Sequence, residues 1–81
     1  MQVTVIFFSL FRKVSGTDRL KMEVTEGSRV SALLDLLSER FQNPVFKELP
    51  SSALINHKVA LPETALQEGD EILLLPVMDG G

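Results

Sequence analysis

One stretch of this chain has the spacing of a full-length helix: Val30, Leu33, Leu34, Leu37 and Phe41 fall at i, i+3, i+4, i+7 and i+11. Arg29, Asp35, Ser38, Glu39 and Arg40 take the opposite side. Ser28, after Gly27, is placed to cap its start. Asn43-Pro44 is expected to end it, because the residue before proline is pushed out of the helical region. In 81 residues, such a stripe can be buried by laying it across a sheet, so the remaining apolar runs are read as strands.

Val3 to Phe8 is too short for a helix and rich in β-branched and aromatic residues, which suits an interior strand. Leu10, Phe11 and Val14 then return to helical spacing, with Gly16 placed to stop a short helix. Arg19 to Val24 alternates, setting Leu20, Met22 and Val24 on one face and charges on the other. Residues 44–52 read as an irregular connection pinned by Phe46 and Leu49. Ala53-Leu54-Ile55 and Val59-Ala60-Leu61 flank the tight-turn sequence Asn56-His57-Lys58, and a turn at Gln67 to Asp70 launches a last strand, Glu71 to Leu75. This order predicts an α+β fold, a mixed sheet of about five strands packed on one main helix, with the first and last strands side by side as in the β-grasp topology. The domain is expected over 1–76 and a flexible tail over 77–81.

If those two strands run parallel, a surface follows from their alternation. Inward Val3, Val5 and Phe7 leave Gln2, Thr4, Ile6 and Phe8 outside, and inward Ile72 and Leu74 leave Glu71, Leu73 and Leu75 outside. Both outer faces run from polar to apolar, so their apolar ends meet where the tail departs. A contiguous exposed apolar patch marks an interaction site. The other arrangement has residues 44–52 folding over the patch as core.

Composition narrows the chemistry. There is no cysteine, hence no disulfide, thiolate nucleophile or cysteine-based zinc site. One histidine and no D-x-D-x-D-G or H-E-x-x-H pattern leave no metal motif. A net charge of −3 without a clustered Lys/Arg stripe argues against nucleic acid. No basic amphipathic helix or bilayer-length apolar run points to a membrane, and residues 1–10 lack the basic leader of a signal peptide, so a cytoplasmic protein is expected. His57 reads as a solvated turn residue, Glu68, Asp70 and Glu71 as a solvated loop entry, and Gly16 and Gly27 as isolated punctuation rather than a phosphate cradle.

The chain ends in Gly80-Gly81, after Ile72 to Pro76 and the short run Val77-Met78-Asp79. Glycine lacks a Cβ, so a diglycine arm can enter a channel closed to side chains and present its terminal carboxylate to another protein's active site. The dipeptide alone also fits a chance ending. A carboxylate becomes an electrophile once its oxygen is made a leaving group, as adenylation does. The phosphate-binding machinery for that step is missing from this sequence, so a separate activating enzyme would supply it. Enclosure of the arm would limit hydrolysis of the acyl-adenylate.

V-T-V-I-F-F-S-L-F-R-K-V-S-G at the start, L-I-N-H-K-V in the middle and L-Q-E-G-D-E-I-L-L-L-P-V-M-D-G-G at the end together resemble the small-subunit family of molybdopterin synthases, the MoaD type of ubiquitin-like sulfur carrier in the MoaD/ThiS group. The resemblance spans essentially the whole chain. It implies a non-catalytic carrier that binds no cofactor, whose Gly81 carboxylate is adenylated at the expense of ATP by a ubiquitin-activating-like adenylyltransferase. A desulfurase or rhodanese would then provide the sulfur of a thiocarboxylate. In a heterotetramer of two small and two large subunits, that sulfur would pass to cyclic pyranopterin monophosphate. Gly80 and Gly81 match the functional tail, and Phe8, Val59 and Leu75 match apolar positions facing the large subunit. Arg12 matches a basic position that contacts the activating enzyme. With Leu73, Pro76 and Met78 these complete the expected partner-binding set. Val77-Met78-Asp79 departs from the family, where a second proline, a valine and a small residue are common. The change loosens the arm and adds charge beside the carboxylate. Related roles left open are sulfur carriage for thiamine or tRNA thiolation, and ubiquitin-like protein modification.

Overall fold

The computed structural model describes residues 1–48 and 51–76. Gln2–Phe7 (β1), Arg19–Glu23 (β2), Ser51–Ile55 (β3), Lys58–Ala60 (β4) and Glu71–Pro76 (β5) form one sheet in the order β2-β1-β5-β3-β4. β1 and β5 pair in parallel, with Val5 opposite Ile72 and Phe7 opposite Leu74, and every other pairing is antiparallel. β1 is interior, as its apolar density predicts, while β5 takes the centre.

Alternation decides which residues reach the core. Val3, Val5 and Phe7 of β1 and Ile72 and Leu74 of β5 are buried on the inner face. Across that face lies the helix Val30–Arg40 (α2), which buries Val30, Leu33 and Leu37, with Leu34 and Phe41 partly buried against the same core. The short helix Leu10–Ser15 (α1) contributes Phe11 and ends at Gly16, whose φ of 75° is the left-handed cap that a Cβ would disfavour.

Two expectations are corrected. Residues 45–48 are not irregular: Val45–Glu48 form a short helix (α3), started by the Asn43 side-chain oxygen accepting from the Val45 amide at 3.0 Å. Its Phe46 is fully buried in an aromatic cluster, stacked on Phe11 at 5.2 Å between ring centroids, with Phe7 edge-on to both Phe41 and Phe46 at 6.1 Å. Because Phe46 enters from the helix side, α3 packs under the sheet and not over its outer patch. Leu49, expected to help pin this connection, lies outside the described residues.

Ser28 does not cap α2. Its hydroxyl donates to the Thr25 carbonyl, and the first α2 amides are met from far along the chain: Val30 donates to the Thr64 carbonyl at 3.0 Å and Ser31 to that of Pro62 at 2.9 Å. Loop carbonyls thereby satisfy donors that a side-chain cap would otherwise take. The helix ends at Arg40, before Asn43-Pro44, because Gln42 turns left-handed at φ 49°.

Candidate functional site

The outer face of the sheet is built by register. Arg19 of β2 stands opposite Ile6 of β1, Ile6 opposite Leu73 of β5, Leu73 opposite Leu54 of β3, and Leu54 opposite Val59 of β4. The neighbours of Ile6, Leu73 and Leu54 along each strand point inward, so these residues share the outer side. The result is one apolar row, Ile6-Leu73-Leu54-Val59, crossing four strands and bounded at the β2 edge by a charge. Val59 is 70% exposed, while Ile6, Leu73 and Leu54 are half-buried by one another.

Toward one end of the strands the face turns polar. Thr4 lies between Lys21 and Glu71, and the Arg19 guanidinium reaches across β1 to the Glu71 carboxylate at 3.8 Å. Both partners are more than half exposed, so the pair adds little stability; its effect is to lay a long side chain over the sheet beside Ile6. Toward the other end lie Phe8 and Leu75. Phe8 continues the β1 pairing, its amide donating to the Leu74 carbonyl at 3.1 Å, which brings it beside Leu75. The polar-to-apolar gradient read from alternation is therefore present, and its apolar end is where β5 finishes.

Two turns set the margins of this face. Asn56 and His57 join β3 to β4 with φ of 52° and 69°, the paired positive angles of a type I′ hairpin, which aligns Val59 with Leu54. His57 is exposed in that turn. At the end of β1, Phe8 accepts from the Phe11 amide at 3.1 Å across Ser9, whose φ of 52° and ψ of −128° are angles ordinarily left to glycine. The turn leaves Phe8 36% and Leu10 42% exposed.

Of the expected partner-binding residues, Val59, Leu73, Leu75 and Phe8 share this face and its apolar end, whereas Pro76, two residues after inward Leu74, has the inner parity at the last position of β5. Arg12 stands apart on the exposed side of α1, paired with Asp18 at 3.4 Å. Met78, Gly80 and Gly81 lie outside the described residues, as does the expected 77–81 arm. Leu54 is the member the sequence reading missed. Its place beside Leu73 comes from the β3–β5 register, which the continuous apolar run Ala53-Leu54-Ile55 does not reveal.

The parallel first and last strands and the helix across one face define a β-grasp domain, whose other face carries the apolar row. Residues 5–81 match the model of the ThiS family. Among relatives, the chain is 33% identical to the molybdopterin synthase sulfur carrier subunit of Drosophila erecta, covering 100% of this chain and 92% of that protein. It is 26% identical to the subunit of that name from Chlamydomonas reinhardtii, over the full length of both. Among solved structures it resembles a putative molybdopterin converting factor, subunit 1, from Pyrococcus furiosus, with 25% identity, 96% of this chain, 99% of that chain and a TM-score of 0.84. The fold is shared with small archaeal modifier protein 1 of Haloferax volcanii, at 20% identity, 95% and 98% coverage and a TM-score of 0.83. It is shared also with a chain of the complex of subunits 1 and 2 of molybdopterin-converting factor from Helicobacter pylori, at 24% identity, 100% coverage of both and a TM-score of 0.67. The chain belongs to the ThiS family and is a small ubiquitin-like sulfur carrier, not a catalyst in its own right.

Proposed function

We propose that this chain is the sulfur-carrying subunit of a molybdopterin synthase, that its outer sheet face docks on the large subunit, and that Gly81 carries the sulfur. The observation supporting this most strongly is the apolar row Ile6-Leu73-Leu54-Val59, continuous with Phe8 and Leu75 at the strand end from which the chain continues to the diglycine. An apolar surface beside the exit of a glycine arm lets one docking event aim the terminal carboxylate at a second protein's active site. The curated relatives named as molybdopterin synthase sulfur carrier subunits favour this pathway.

In the proposed cycle the Gly81 carboxylate attacks the α-phosphate of ATP on an adenylyltransferase, releasing pyrophosphate. The outer sulfur of a cysteine persulfide on a desulfurase or rhodanese displaces AMP to give an acyl disulfide, and a second thiol attacks the cysteine sulfur of that bond, leaving the thiocarboxylate on the carrier and a disulfide between the two thiols. On the large subunit its sulfur bonds to a side-chain carbon of cyclic pyranopterin monophosphate as the oxygen on that carbon leaves, and water then cleaves the resulting thioester, leaving the thiol on the pterin and restoring the carboxylate. The carrier's own contribution is positional: its docked face holds the arm in register, while the partner's enclosing channel keeps the reacting end from solvent.

The test is intact mass spectrometry after incubation with the activating enzyme, ATP and a sulfur donor, followed by transfer to the precursor on the large subunit. The expected species has one oxygen replaced by sulfur and is consumed as molybdopterin forms. A thiocarboxylate that the large subunit cannot discharge would move the protein to thiamine or tRNA thiolation. A mass increase of a whole protein would mark it as a modifier.

A further inference from the structure

We propose that two copies of this chain associate through the free edge of β2, strand against antiparallel strand, on a two-fold axis at Met22. β2 is the outer strand on the β1 side of the sheet, and its main-chain groups alternate in direction along it. Val24 and Met1 exchange hydrogen bonds, nitrogen to carbonyl, at 2.8 and 2.9 Å, and the Phe7 amide donates to the Asp18 carbonyl at 2.8 Å. With the β1–β2 register, these fix Leu20, Met22 and Val24 as the residues whose main chain faces β1. Arg19, Lys21 and Glu23 therefore aim their amides and carbonyls away from the sheet. The edge is closed at its ends, because the Arg19 carbonyl accepts from the Thr17 hydroxyl at 3.1 Å and the Thr25 carbonyl from the Ser28 amide at 3.0 Å. Between them, Lys21 and Glu23 keep both main-chain groups without a partner among the described residues. Such an edge is a template for another strand.

The signs of the side chains choose the occupant. Charges on an edge keep most strands away, and an identical strand laid parallel and in register would set Lys21 against Lys21. Run antiparallel about Met22, the same strand sets Lys21 opposite Glu23 of the second copy, and symmetry repeats the pair. At each pair the free amides and carbonyls meet. The side chains are available for it: Lys21 is exposed with no ion-pair partner among the described residues, and exposed Glu23 touches only the Met1 amino group, at 3.6 Å. An antiparallel register centred on Lys21 would oppose like charges and call on the Arg19 carbonyl already in use. On the inner side, half-buried Leu20 comes against Val24 of the second copy. Met22 and Val24 are nearly covered by their own core and the paired stretch is short, so the association is weak and governed by the edge and its charges. The apolar row on the outer face stays uncovered, so the pairing is independent of the docking proposed for that face.

The test compares the unaltered chain with Lys21→Glu, Glu23→Lys, the variant carrying both changes, and Leu73→Glu, each shown by thermal unfolding to be folded. Sedimentation equilibrium and amide NMR shifts would follow self-association up to about 1 mM, where a weak strand pair is populated. The unaltered chain should show concentration-dependent shifts confined to residues 19–25, with slowed exchange of the Lys21 and Glu23 amides. Either single charge reversal should weaken self-association by about tenfold or more, because both attractive pairs become repulsive. An equal mixture of the two single variants, or the variant carrying both changes, restores opposite signs at each pair and should recover it, a rescue that damaged folding would not give. Leu73→Glu should associate like the unaltered chain. An unaltered chain that stays monomeric at that concentration overturns the inference, as do single variants that fail to recover on mixing. Association lost in Leu73→Glu and kept in the single charge reversals also overturns it, by assigning self-contact to the apolar face.

Discussion

Val59 and Leu74 are aliphatic residues of one sheet on opposite faces, and substitutions at them should separate binding from folding. Val59 is 70% exposed on the edge strand β4, whereas Leu74 is 1% exposed on the central strand β5. Val59→Glu should change stability by no more than about 0.5 kcal/mol. It should weaken large-subunit binding about tenfold or more, through lost apolar burial and the desolvation of a charge. Leu74→Ala should destabilise the free carrier by about 2–5 kcal/mol. Chemical denaturation of the free protein and titration of the partner check both, and a Val59→Glu as unstable as Leu74→Ala would reverse the assignment of faces. His57 offers a third comparison, because its φ of 69° in the β3–β4 turn is costly for any residue but glycine. His57→Gly should raise stability by about 1 kcal/mol and leave sulfur transfer unchanged, as measured by unfolding and single-turnover assays.

The elements differ in how far their reasons lie from them in sequence. β1, β2 and α2 are written locally: alternation at Val3-Val5-Phe7 and Leu20-Met22-Val24, and the i, i+3, i+4, i+7 stripe from Val30, need no distant information. The apolar end of the outer face was legible for the same reason, since Phe8 and Leu75 follow from two alternating strands and one assumption, that they pair in parallel. The start of α2 was not legible, because Thr64 and Pro62 supply its capping carbonyls after more than thirty intervening residues, as Val30–Thr64 shows. α3 escaped because four residues give no helical period, and its folding comes from Phe46 entering the aromatic cluster and from the Asn43 bond. Phe46→Ala should therefore cost about 3–5 kcal/mol, a large share of what a domain this size has, and should broaden or lower the denaturation transition. Leu54 was missed for a related reason: only the long-range β3–β5 register sets it next to Leu73.

At the scale of the whole molecule, the core and the residue proposed to carry sulfur occupy different parts of the sequence. The core runs from Val3 to Leu74, and Gly81 lies beyond it. Removing Gly81 should leave the thermal midpoint unchanged and abolish thiocarboxylate formation, a pairing checked by calorimetry and intact mass. Gly80→Ala should also fold normally, yet slow activation or sulfur transfer by up to about 100-fold, because an added methyl group displaces the reacting carbonyl in an enclosed channel. Equal single-turnover rates for Gly80→Ala and the unaltered protein would remove the threading argument.

The strand order β2-β1-β5-β3-β4 has a consequence for biogenesis. The central strand, residues 71–76, is synthesised after all its neighbours, so a nascent chain lacking it holds two partial sheets, β1 with β2 and β3 with β4, and nothing to join them. Closing the sheet needs contacts between β1 and β5, nearly the full chain apart, a slow step that completes only once the last strand is free of the ribosome. The apolar face proposed to dock, which takes Leu73 and Leu75 from that strand, comes into being at the same moment, so on that proposal an unfinished carrier offers partner proteins no assembled surface to recognise.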